Sequence, residues 1–178
     1  TIVRFVSWDA SHDMGISGLN YNEKVKLVEE LTVNLKVFIS SESELPGEII
    51  KYRINIPPEM MHDALYYASL YIGEGATMAS ECAVLGTPAI YINPLNSGII
   101  TDEKDAGLLL HHTRYDEILA SAKQIITNPE SKISLKFKSS EFLNKKINVT
   151  EFWAWFIENY PESSIIMKMN PDYQLKFR

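Results

Sequence analysis

The chain has little cysteine, no basic block and no long apolar run, and each shortage excludes something. Cysteine occurs once, at Cys82, so no internal disulfide can form and stability must come from a core. A single cysteine fits a reducing compartment, and a cytoplasmic location is expected. Lys and Arg number 17 against 23 Asp and Glu, for a net charge of -6, and they are not clustered. Nucleic acid is therefore not expected as a partner, because its binding rests on neutralising phosphates. No stretch approaches the roughly 20 apolar residues that cross a bilayer, so no transmembrane segment is expected. No internal repeat or low-complexity linker interrupts the sequence. The opening Thr1-Ile2-Val3-Arg4-Phe5 has no initiator Met and starts directly in an apolar run. The expectation is a piece of a longer protein whose missing part lies upstream.

What is present suits one globular domain: 178 residues, 46% of them apolar. Residues 2–8 are β-branched and aromatic and predict a strand, followed by a polar loop to Gly18. Asn20 and Glu23 have capping-box spacing and predict a helix carrying Tyr21, Val25, Val28 and Leu31. Further strands are predicted at 35–39, weakly at 49–54, and at 69–73, 89–92 and 108–110. Pro57-Pro58 opens a helix to about Ala68. A second helix over 76–85 ends at Gly86-Thr87-Pro88, and a third runs from a cap at Thr113 and Asp116 to Thr127. Strands alternating with helices predict an α/β, Rossmann-like three-layer domain on a parallel sheet over 1–145. Residues 146–178 form an aromatic helix near 149–160 and then an extension, packing on that domain or on a missing N-terminal one.

The informative segment runs from Tyr71 to Pro88. A strand ends in Gly73-Glu74-Gly75 and a helix begins at once. The first amides of a helix have no internal partner, and the dipole favours an anion there, so a phosphate or diphosphate is the natural guest. Thr77 and Glu81 share one helix face. Glu81 stands six residues after Gly75, about 9 Å along the axis, which is the reach from a diphosphate to its ribose. The plain alternative is a tight turn with a solvated glutamate. The segment is neither a Walker loop nor the G-x-G-x-x-G fingerprint, whose third glycine position is Met78 here.

Gly75-Ala76, Ser80-Glu81 and Gly86-Thr87-Pro88 resemble the C-terminal domain of GT-B glycosyltransferases. They are similar to the peptidoglycan N-acetylglucosaminyltransferase that makes lipid II and to the C-terminal half of UDP-N-acetylglucosamine 2-epimerase. The broad pattern covers 1–127. The segments 4–13, 159–163 and 170–173 resemble a bacterial and archaeal GT-B-like family of unknown function, a match over nearly the whole chain. The resemblance implies the second half of a GT-B fold that binds a nucleotide-diphosphate sugar, of UDP type, and is inactive without its N-terminal half. It implies that Gly73, Glu74, Gly75, Ala76 and Thr77 surround the diphosphate, that Glu81 binds ribose and that Ile54 and Ile56 border the base. Ser11 is placed near the sugar or acceptor, with His12 and Asp13 as catalytic candidates. Asn96 joins the substrate set from a loop, 93–98, that lacks the paired Gln of the lipid II enzyme and leaves the sugar open. No cofactor and no metal are implied.

Two other readings stand beside transfer. One is epimerisation or hydrolysis on the same scaffold, with His12 or Asp13 moving a proton. The other is a non-enzymatic, receiver-like interaction domain, for which Asp9 and Asp13 give a partial acidic cluster after the first strand, but no Lys ends a later strand. His62 reads as a surface residue. His111 and His112 are adjacent on a strand and point apart, so a shared metal is not expected. Trp153 and Trp155 read as packing residues.

Overall fold

The computed structural model describes residues 1–8, 17–128 and 130–178. Ser11, His12 and Asp13 lie outside these residues. Among them, five short strands form one parallel sheet: β1 (Ile2–Phe5), β2 (Phe38–Ser41), β3 (Tyr71–Gly73), β4 (Ala89–Tyr91) and β5 (Leu110–His111). Their order is β2-β1-β3-β4-β5. Val3 stands opposite Ile39 on one side and Ile72 on the other, and Ile72 opposite Ile90. This apolar row has one physical cause, since a strand covered by helices on both faces must be apolar on both.

The eight α-helices are α1 (Tyr21–Thr32), α2 (Met61–Tyr67), α3 (Ala76–Leu85), α4 (Gly98–Asp105), α5 (Tyr115–Thr127), α6 (Ser131–Leu143), α7 (Val149–Glu158) and α8 (Glu162–Met169), counted among the described residues. Leu27, Val28 and Leu31 of α1 and Ile118 and Ala122 of α5 bury against Val3, Phe5, Ile39, Ile72 and Ile90. α3 packs on β3 and β4 and lies between α2 and α4. The result is a three-layer Rossmann-like domain, as expected.

Local rules account for the best-predicted elements. α1 starts on a complete capping box, with Asn20 and Glu23 each satisfying the other's backbone N–H. α3 ends at Gly86, whose φ of 68° puts it in the left-handed region. A Cβ on Gly86 would also meet the Lys136 backbone at 2.7 Å, so this position needs glycine twice over.

Several expectations need correction. The segment 49–54 forms a 3-10 turn at Ile50–Tyr52 instead of a strand, and an isolated bridge between Ile39 and Arg53 joins it to the sheet. Its β-branched Ile49 is used to fill the core. The helix after β5 is capped by Arg114, with no side-chain cap bond, and Asp116 pairs with Arg114 instead. α4 and α6 were not expected. Ser97 caps α4 through a 3.5 Å bond to the Ile100 amide. The residues after 161 are helical too, as α8 and a 3-10 turn at Pro171–Phe177.

The chain divides into two compact units, Thr1–Ser139 and Ser140–Arg178. The second is built on rings: Trp155 stacks on Tyr173 at 4.8 Å, and Phe152 meets Phe177 edge-on at 5.7 Å. Ser163 is fully buried there, its hydroxyl donating to the Phe156 carbonyl at 2.6 Å. No described helix is long and apolar enough to cross a membrane.

Candidate functional site

In this strand order the chain moves one way from β1 to β2 and the other way from β3 onward. The crevice at such a switch, beyond the carboxyl ends of β1 and β3, is where open α/β sheets bind ligands. Here that crevice is built around Glu74, the residue that follows β3.

Glu74 is buried, 1% exposed. Its carboxylate accepts from the Val6 amide at 2.9 Å, the Trp8 indole at 3.3 Å and the Leu19 amide at 3.1 Å, and Lys24 stands 4.0 Å away. Burial raises its pKa above the usual carboxylate value, while Lys24 and the three N–H donors pull it back down. The Glu74 carbonyl accepts from the Asn93 side chain at 2.9 Å. One residue therefore ties both ends of the β1–α1 connection to the loop after β4. Glu42 does the same on the other side of β1: it pairs with Arg4 and accepts from the Ser7 amide at 3.1 Å.

The room beside Gly73 is filled from within. A Cβ there would stand 2.1 Å from the Tyr71 hydroxyl, which donates to the Gly75 carbonyl at 3.2 Å. Gly75 is the N-cap of α3 and has no side chain to cap the first amides. Gly75, Ala76 and Thr77 line a cavity at the crevice.

Three cavities meet the start of α3. One, of about 500 Å³, is lined by Ala76, Thr77, Ser80 and Glu81 of α3, His62 of α2 and Ile99 of α4. A second, of about 470 Å³, contains Ser7, Trp8, Glu74, Gly75, Ala76, Thr77 and Asn96. A third, of about 340 Å³, holds Arg4, Ile54, Ile56, Met61 and Met78. Ala76 and Thr77 line the first two. The structure thus brings Glu74, Gly75, Ala76, Thr77 and Asn96 around one cavity and Glu81 into its neighbour. Ile54 and Ile56 stand at the third, and Gly73 lies buried beneath.

Several partners were not foreseen. His62, read as a surface residue, is exposed and sits 3.2 Å from Glu81. Ser80 donates to the buried Glu103 at 2.8 Å. Asn96 is held by a 3.0 Å bond to Thr101. These pairs join separate elements, and no sequence spacing announces them. His111 and His112 do point apart, to the Asn93 carbonyl at 2.7 Å and the Ser121 hydroxyl at 2.9 Å. Among the described residues no group of three or more His, Cys, Asp or Glu is placed to hold a metal.

The fold and its crevice define a Rossmann-like domain of GT-B type. Solved structures with this fold include one described as a UDP-N-acetylglucosamine 2-epimerase of Listeria monocytogenes, at 12% identity and a TM-score of 0.55 over 81% of this chain and 43% of that one. Another is the UDP-GlcNAc 2-epimerase of Neisseria meningitidis bound to UDP-GlcNAc, at 11% identity and a TM-score of 0.50, covering 80% and 42%. A spinosyn rhamnosyltransferase is similar at 13% identity over 79% of this chain and 41% of that one, but its TM-score of 0.49 is too weak to argue from. At such identities the likeness shows the fold alone. The chain spans 43% and 42% of the two epimerase structures, less than half of each. A comparison with curated proteins found no match.

The chain belongs to the DUF354 family, described as proteins of unknown function, whose model matches residues 15–146. The match is shorter than the near-complete one expected. It leaves out all of the segments 4–13, 159–163 and 170–173.

Proposed function

We propose that this chain is the nucleotide-sugar-binding half of a glycosyltransferase-like enzyme, acting on a UDP-type sugar together with an N-terminal domain. The observation that carries the reading is the uncapped start of α3, set at the switch point where two cavities share Ala76 and Thr77. A diphosphate fits that junction, because the free amides and the helix dipole favour an anion. The ribose then lies toward Glu81, whose carboxylate suits a pair of hydroxyls, and the base toward Ile54 and Ile56. Helix amides would stabilise the diphosphate as it leaves, without a required metal. Ser11, His12 and Asp13 are assigned to the sugar or acceptor side, with His12 and Asp13 as proton-transfer candidates.

A second reading is epimerisation or hydrolysis, again with His12 or Asp13. Two structural relatives carrying the 2-epimerase description favour keeping it. Product assay on the full-length protein separates the two, since a 2-epimer or free sugar forms only in the second.

The binding reading is tested by thermal unfolding of the chain with UDP. At about 100 times the dissociation constant the ligand adds about 2.7 kcal/mol, a rise of roughly 5–10 °C for a domain of this size. Glu81→Ala should abolish most of the rise while its ligand-free melting temperature stays near that of the wild type. No rise with UDP or UDP-sugars overturns the reading for this chain, and a full rise in Glu81→Ala removes Glu81 from the site.

A further inference from the structure

The second cavity has a wall that the diphosphate and ribose contacts leave unexplained. Trp8 lines it, and its backbone has a φ of 61°, in the left-handed region. For a bulky residue this is a true outlier, and such outliers persist only where the surroundings hold them. The surroundings do so here. The Trp8 indole N–H donates to the buried Glu74 carboxylate at 3.3 Å. Gly18 lies against both groups: a Cβ there would stand 2.6 Å from the Trp8 ring and 2.0 Å from Glu74 Oε1. A glycine, a buried carboxylate and a strained backbone all serve to fix one indole.

An indole anchored by its N–H still presents a broad apolar surface. Ser7, Asn93, Asn96 and Ser97 line the same cavity. A plate of apolar carbon with hydroxyl and amide groups nearby matches a pyranose ring, which has C–H bonds on its faces and hydroxyls at its rim. Gly75, Ala76 and Thr77 line this cavity too, so a sugar on a diphosphate bound at α3 falls within reach of Trp8.

We infer that Trp8 is the platform for the sugar ring of the nucleotide sugar and supplies the preference for the sugar-bearing form over the bare nucleotide. This rests on the proposed nucleotide reading. Glu74 and Gly18 are positioning residues that act through Trp8.

The test is calorimetric titration of the chain and of Trp8→Phe with UDP, UDP-glucose, UDP-galactose and UDP-N-acetylglucosamine. The wild type should bind at least one UDP-sugar more tightly than UDP. Trp8→Phe keeps a ring but loses the N–H that Glu74 holds and part of the apolar plate, and should reduce that advantage by about threefold to tenfold, with its affinity for UDP unchanged. An undiminished advantage, an equal loss for UDP and UDP-sugar, or no advantage in the wild type overturns the inference and leaves the nucleotide site standing. Absence of any binding to the wild type overturns the nucleotide reading and this inference with it. If Trp8→Phe does not fold, the wild type is labelled with 5-fluorotryptophan. One of the three tryptophan resonances should then move with UDP-sugar and stay in place with UDP. Three unmoved resonances overturn the inference.

Discussion

Glu74 shows how a residue in the crevice between β1 and β3 can be chiefly a structural tie point. Three N–H groups from the two ends of the β1–α1 connection end on its carboxylate, two on Oε2 and one on Oε1. Glutamine at this position has one acceptor oxygen and one amide, so at least one buried N–H would face another donor. Glu74→Gln should therefore lower stability by about 1–3 kcal/mol, although it removes a buried charge. Urea denaturation of the pair checks this, and equal midpoints would mean that the loops satisfy themselves elsewhere. Glu81, only seven residues on, differs. It is partly exposed and paired with an exposed histidine. Sequence spacing put Glu81 on one helix face with Thr77 and about 9 Å from Gly75, and the resemblance then made it a ribose candidate. Spacing gave no sign of the work done by Glu74, because the donors come from Val6, Trp8 and Leu19, which only the fold brings near.

Among the elements, α1 and α3 illustrate two kinds of helix end. α1 carries its own start signal, and Asn20→Ala removes half of the reciprocal box. The expected cost is about 1 kcal/mol, read as a lower denaturation midpoint with an unchanged slope. An unchanged midpoint would show that packing of Leu27, Val28 and Leu31 alone determines where α1 begins. α3 has the opposite arrangement, with a glycine where a capping side chain would stand. That leaves its amides for a guest, and this is the element-scale reason for the proposed anion site. The elements that went unforeseen share a cause. α4 follows a loop that reads as continuous coil, and the 49–54 segment has strand-like residues. In both cases tertiary burial overrode a weak local preference: Ile100 and Glu103 of α4 are buried, and Ile49 is turned into the core.

For the whole molecule, Cys82 offers a probe of cooperativity. It is fully buried on α3, and burial pushes its thiol well above the ordinary range. The reactive thiolate is therefore scarce at pH 8, and the folded chain should resist a thiol reagent such as DTNB. Reaction should appear in denaturant along the same transition as loss of helical circular dichroism. Rapid reaction in the absence of denaturant would reveal local opening of α3 that bypasses global unfolding.

Sequence alone determined the alternation of strand and helix, the capped start of α1, the limits of α3 and the presence of an open helix start after a glycine-bearing turn. All of these depend on residues within one or two turns of each other, where spacing dictates geometry. Only the tertiary structure decided the sheet order, the switch point between β1 and β3, the meeting of cavities at Ala76 and Thr77, and the seat that holds Trp8. Those features join residues as far apart as Val6 and Glu74, and chain separation carries no information about which distant groups a fold will bring within hydrogen-bond reach.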